Sequence, residues 1–261
     1  MLFEKQFGKP ACIPSTEADI IFSWFEQNTE KSAHYTKPLL KAVYYYDVAF
    51  WPVEIPQGYG EFRLNSVDSL DTMPDSVKED LQADRTAIWN YVFFWADAMD
   101  YAWGKNEFPD ADDGFGAELL KAAHEELTSA ASQILSGNEI PRSVLAARNA
   151  VEMFLKSFLA YTNGLTDKGA RSFGHNLKDL VAACKDQSKS VEWEHIESEI
   201  QIFPEINARY EKLPHDDDNI FMSYWLALSC GAALTRHFTS RDVRKQLYPE
   251  GYEYFSARGS Q

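Results

Sequence analysis

The sequence predicts a mainly α protein: an antiparallel helical bundle with an N-terminal α+β extension that contains a small antiparallel sheet. Three observations predict it. Apolar residues recur at helical spacing through most of residues 117–238, with short connections between the periodic runs. Aromatic and β-branched residues instead cluster between residues 43 and 53, a composition that suits strands. Hydrophobic residues make up 45% of the 261 positions, enough for a sizeable core and too many for a disordered chain.

Residues 1–15 read as an irregular lead-in broken by Pro10 and Pro14. Thr16 can cap a helix over 17–31, with Asp19 completing the capping box and Ile20, Ile21, Trp24 and Phe25 on the buried side. Lys37-Pro38 marks a break. Residues 43–46 and 48–53 read as strand, held to edges or ends by Pro52 and Pro56. Gln57-Gly58-Tyr59-Gly60 is expected to turn into a second strand over 61–64, giving the small antiparallel element.

One long helix is expected over 74–103, stopped by Gly104. Its stripe is Val77, Leu81, Ile88, Val92, Trp95, Met99 and Ala102. Glu79, Asp80 and Asp84 lie off that stripe, so the acid-rich stretch around them reads as a solvated face rather than a metal or catalytic cluster. The Asp- and Gly-rich run 105–116, KNEFPDADDGFG, is the clearest linker. The expected organisation is an α+β region over 1–112, a bundle over 113–247 and a tail over 248–261.

The bundle begins with a helix over 117–135 that turns Leu119, Ala123, Leu127, Ala130 and Ile134 inward. The next helix starts at Pro141, whose missing amide proton costs nothing in a first turn, and ends at Gly164. Val144, Ala147, Val151, Leu155 and Phe158 form its apolar stripe; Arg148, Asn149, Glu152 and Lys156 occupy its polar side. A third helix follows Asn176, which with Asp179 makes a variant capping box. A fourth spans 191–212, with a kink or split at Pro204, and a fifth spans 219–238 behind the acidic run Asp216, Asp217 and Asp218.

A net charge of −15 disfavours unspecific attraction to phosphate backbones, although a local basic groove could survive it. Cys12, Cys184 and Cys230 are odd in number and far apart, unlike a disulfide framework or a zinc site, which fits a reducing cytoplasm. The first residues lack the apolar core of a signal peptide. The longest apolar run, IWNYVFFWADAM, is broken by Asn90 and Asp97, so no membrane association is expected. A Gly-rich phosphate loop, HExxH and GxSxG are all missing, and no cofactor is implied.

AARNAVEMFLKSFLAYTNG, followed by GHNLKDLVAAC and later by INARYEKLPH, resembles the HEPN superfamily of helical nucleotide- and RNA-associated domains over the second half of the chain. The resemblance rests on the Glu152 and Lys156 pair, on His175, Asn176 and Leu177 at the next helix start, and on Asn207, Arg209 and Tyr210. It implies an up-and-down bundle, often dimeric, whose members include binding modules, toxin halves of nucleotidyltransferase pairs and metal-independent ribonucleases.

Two functions follow from that resemblance. The first is a binding or interaction module that recognises a nucleotide or an RNA end, self-associates as a homodimer, and has room for a partner protein. Arg148, Asn149, Lys156, His175, Asn176 and Tyr210 are its candidate ligand contacts; capping by Asn176 and exposed polarity of the others are the structural alternatives. The second is a toxin-like endoribonuclease using Arg209 and His215, which have the family's Arg-x5-His spacing. Histidine would move the proton and arginine would hold the phosphate. Against it, Tyr210 replaces the usual polar residue, Pro214 disturbs a shared helix face, and three aspartates follow His215. His215 with those aspartates could also hold a divalent cation, though consecutive aspartates more often cap a helix. Arg236, His237, Arg241, Arg244 and Lys245 make one locally basic patch, either an anion contact or a set of cations at a helix C-terminus.

Overall fold

A computed structural model describes residues 38–57, 64–108, 114–137, 140–204 and 216–247. The chain divides into two compact units, Met1–Lys37 and Pro38–Gln261. The first unit, with its expected helix over 17–31, lies outside the described residues. Among its described residues the second is mainly helical with one two-stranded antiparallel sheet.

Strands β1 (Leu40–Tyr46) and β2 (Ala49–Ile55) pair in register from Leu40 opposite Ile55 to Tyr46 opposite Ala49. The aromatic run therefore folds back on itself at Asp47-Val48. The expected turn at 57–60 and strand at 61–64 fall largely outside the described residues. Tyr44 anchors the hairpin to the helices, its ring 4.9 Å from Tyr91, 5.2 Å from Phe94 and 5.1 Å from Phe221. Such edge and tilted contacts suit the ring quadrupoles and carry the packing here.

The long helix expected over 74–103 is two helices, α1 (Asp75–Ala83) and α2 (Arg85–Gly104). Asp84 breaks it. Its backbone is extended, and its carboxylate accepts hydrogen bonds from the amides of Thr86 at 2.8 Å and Ala87 at 3.0 Å. A capping aspartate competes with helix continuation in this way.

The bundle helices follow as α3 (Phe115–Ser136), α4 (Ile140–Asn163), a short α5 (Asp167–Ser172), α6 (Leu177–Gln187), α7 (Val191–Glu199), α8 (Asp217–Phe238) and α9 (Val243–Leu247). The helix expected over 191–212, with a kink or split at Pro204, is interrupted ahead of that proline: α7 passes into a 3-10 turn, Ile200–Ile202, and Phe203 is extended, while residues 205–212 lie outside the described residues. The proline ring disfavours the helical conformation for the residue before it. Asp216 caps α8 by accepting from the amide of Asn219 at 2.7 Å, the structural role expected of the acidic run.

Helix α4 is central, packing on α3, α6 and α8, while α8 also packs on α2 and β1. One apolar cluster runs through the hairpin, α2 and the bundle, including Tyr44, Phe94, Phe154, Phe158 and Leu228. Gly231 on α8 permits a close approach between helices. A Cβ there would sit 2.8 Å from a Tyr101 ring carbon and 2.9 Å from Phe154. Among the described residues, no helix is long and apolar enough to cross a membrane.

Candidate functional site

Arg148, Glu152 and Lys156 are four residues apart on α4, so they share one face and reach the same neighbourhood. All three are buried. Glu152 accepts from Lys156 Nζ at 2.7 Å and lies 3.5 Å from Arg148 Nη1. Other donors of both cations reach backbone carbonyls. Lys156 Nζ donates to Gly174 O at 2.8 Å; Arg148 Nη2 donates to His175 O at 2.7 Å, and its Nε donates to Pro204 O at 3.2 Å.

Two of these contacts, to Gly174 O and His175 O, converge on the turn between α5 and α6. Gly174 has a φ of +57, a left-handed conformation that glycine adopts without a Cβ clash. The turn aims the His175 ring back at α4, placing Nδ1 3.0 Å and 3.1 Å from the two Glu152 carboxylate oxygens. The His175 side chain is nevertheless 58% exposed. The buried stripe thus fixes one surface histidine by its ring, its own carbonyl and the carbonyl before it.

The structure brings together Arg148, Lys156 and His175 from the sequence candidates and separates the other described ones. Asn149 is half-buried and hydrogen-bonds Glu126 on α3, away from the Glu152 group. The Asn176 side chain accepts from the amides of Lys178 at 3.1 Å and Asp179 at 3.3 Å, and its Nδ2 donates to Asp179 at 2.6 Å; it caps α6. Arg209, Tyr210 and His215 lie outside the described residues. Glu152, the centre of the group, was readable from sequence as part of the polar side of α4 and as the partner of Lys156, but not as a contact of His175.

A second charged group was missed by sequence reasoning. Asp97 and Asp100, both fully buried on α2, meet Arg236, Arg244 and Glu192. Arg236 Nη1 lies 3.0 Å from Asp97 and 2.9 Å from Asp100, while its Nε and Nη2 donate to the two Glu192 oxygens at 2.9 Å each. Arg244 also pairs with Asp97, which accepts from Ser229 Oγ at 2.7 Å and Trp225 Nε1 at 3.1 Å. Burial alone would raise the Asp97 pKa; Arg244 and Arg236, with the Ser229 and Trp225 hydrogen bonds, outweigh it and hold the carboxyl below its ordinary value. Three carboxylates face two guanidiniums. Asp100 carries the excess: burial, only partly offset by Arg236 and the Val243 amide, pushes its pKa up to about 6. Two members of the expected basic patch, Arg236 and Arg244, are therefore consumed inside the fold. This buried network ties α2, α7, α8 and α9 together.

A third group joins Tyr101, Lys105 and His124. Lys105 Nζ is 3.1 Å from His124 Nε2 and donates to Leu39 O at 3.3 Å, while Tyr101 OH is 3.0 Å from His124 Nδ1. An ammonium can only donate, so Nε2 accepts and Nδ1 carries the ring proton toward the Tyr101 oxygen. Burial, helped by the Lys105 charge, lowers the His124 pKa to about 4 and keeps the ring neutral.

Among the described residues, no group of three or more histidine, cysteine, aspartate and glutamate side chains could hold a metal ion. Of the three groups, the Glu152–His175 group is the one whose buried polar interior holds an exposed side chain. No family model, no curated protein and no solved structure matches the chain.

Proposed function

We propose that this chain is a HEPN-like helical binding module that recognises a nucleotide or an RNA end, with His175 as its contact residue. One observation carries the reading: three buried charges on α4 hold a histidine whose ring is open to solvent. A buried ion cluster is a weak source of stability, because well-packed apolar residues serve as well or better. What Arg148, Glu152 and Lys156 do that apolar residues could not is fix the Gly174 and His175 carbonyls and the orientation of the imidazole.

The chemistry suits a nucleotide. With Glu152 accepting the Nδ1 proton, Nε2 accepts from a base or hydroxyl when the ring is neutral, and donates to a phosphate oxygen when the ring carries a second proton. Arg148 and Lys156 are positioning residues in this reading, since both are buried and donate to Glu152 or to backbone carbonyls of the protein. A thermal-shift panel of nucleoside mono-, di- and triphosphates and of short RNAs with 5′- or 3′-phosphate ends tests it. Stabilisation by one class, lost in His175→Ala, supports the reading; no shift with any of them refutes it.

The second reading, a metal-independent endoribonuclease using Arg209 and His215, rests on the Arg-x5-His spacing of those two residues. RNA cleavage in chelator by the native protein and by His215→Ala tests it; equal rates exclude His215 as the catalyst.

A further inference from the structure

The hairpin turn at Asp47-Val48 is built against local preference. Both residues have positive φ, 50 and 55, the combination of a two-residue primed turn. Asparagine, aspartate and glycine adopt it readily, so Asp47 is well chosen. Val48 is not, because a β-branched side chain is an outlier in the left-handed region. Packing does not compensate: Val48 is 84% exposed, the one exposed large hydrophobic side chain among the described residues. Strain kept at a surface position points toward function rather than folding.

The surroundings narrow what that function could be. Half-buried Tyr45, Tyr46 and Phe50 form the shoulders of the turn, with the Tyr45 and Phe50 rings 4.9 Å apart. Acids approach from both sides. Asp84, Asp80 and Asp47 act electrostatically on Tyr46, and Asp217, Asp218 and Asp216 act on Tyr45. A phosphate backbone or an anionic membrane would be repelled here, and a second copy of a chain of charge −15 would bring the same acids.

We infer that the hairpin tip is a docking knob for a partner protein that presents a basic amphipathic helix, with Val48 and its aromatic shoulders against the apolar stripe and the flanking aspartates against lysines or arginines. This surface shares no residue with the His175 site and does not depend on the nucleotide reading. An apolar centre ringed by charge is the usual layout of such contacts, where the centre sets affinity and the rim sets specificity.

The test uses the full chain and a labelled amphipathic Leu/Lys helical peptide as the probe, with a Lys-only peptide of equal charge as control, read by fluorescence anisotropy. Val48→Asn keeps the turn, since asparagine tolerates positive φ, and removes the apolar knob. The expected result is Leu/Lys binding weakened about tenfold in Val48→Asn and retained in Val48→Ile, little binding of the control peptide, and a higher melting temperature for Val48→Asn. Equal binding by Val48→Asn and the native chain overturns the inference. So does a lower melting temperature for Val48→Asn, which would remove the strain on which it rests. Self-association abolished by Val48→Asn, seen by sedimentation, would also overturn it in favour of a second copy.

Discussion

Glu152 on α4 accepts the His175 ring at 3.0 Å across a helix–turn contact, while Lys156 and Arg148 close on the same carboxylate from one turn either side. The glutamate sits between two buried cations and one exposed imidazole. Its loss would leave both cations without their charge partner inside the fold.

Glu152→Ala is therefore expected to destabilise the protein by about 3 kcal/mol, the scale for breaking a buried ion pair from one side. Urea unfolding monitored by tryptophan fluorescence measures it. A change of only a few tenths would mean that water reaches the site and solvates Arg148 and Lys156.

Asn176 separates capping from ligand contact. Removing the cap in Asn176→Ala should cost about 1 kcal/mol of stability. Any ligand-induced stabilisation should persist in this variant, because its side-chain oxygen is already engaged by the Lys178 and Asp179 amides. Loss of the ligand effect with normal stability would reverse that assignment.

Gly231 lies where α8 meets Tyr101 and Phe154, whose rings are 5.5 Å apart. An added methyl would meet both rings at under 3 Å. Gly231→Ala should cost about 1–3 kcal/mol through overpacking, despite alanine's better helix propensity. Thermal unfolding decides between the two effects, and a rise in melting temperature would show that the rings yield.

Two groups give opposite pH dependences. The Asp100 pKa is raised from 3.8 to about 6, so its contribution to stability is fully present below 3.8 and is lost as pH rises through 6. The His124 pKa is lowered from 6.5 to about 4, so its contribution is present above 6.5 and is lost as pH falls through 4. The two offset each other in the shared window. His124→Gln should gain stability as pH falls from about 6 to about 4, and Asp100→Asn should lose it over the same range. Urea midpoints across that window report both, and slopes parallel to the native chain would contradict the burial argument.

Much of the helical architecture was legible because periodicity and caps act locally. Asn176 and Asp216 cap the helices that follow them, and Gly164 turns left-handed after α4, as their residue types suggest. The break at Asp84 was hidden because the apolar stripe runs through it, although an aspartate two residues ahead of Thr86 is itself a cap signal. The hairpin register was hidden because Asp-Val is a poor turn by composition. Asp97 and Asp100 were misleading for a different reason. Charges in an aromatic helix resemble interruptions of its apolar run until Arg236 and Arg244, more than a hundred residues later, arrive to pair with them. For the site, the stripe spacing showed that Arg148, Glu152 and Lys156 share a face. Only the fold shows that they point at His175.

The most direct measurement is the thermal shift of the native chain and His175→Ala across nucleotides and RNA ends. A ligand at about a hundred times its dissociation constant stabilises by about 2.7 kcal/mol, a shift of several degrees in a chain of this size. The account predicts that shift for one phosphate-bearing class, absent in His175→Ala and retained in Asn176→Ala. A ligand that stabilises the native chain and His175→Ala equally would contradict it.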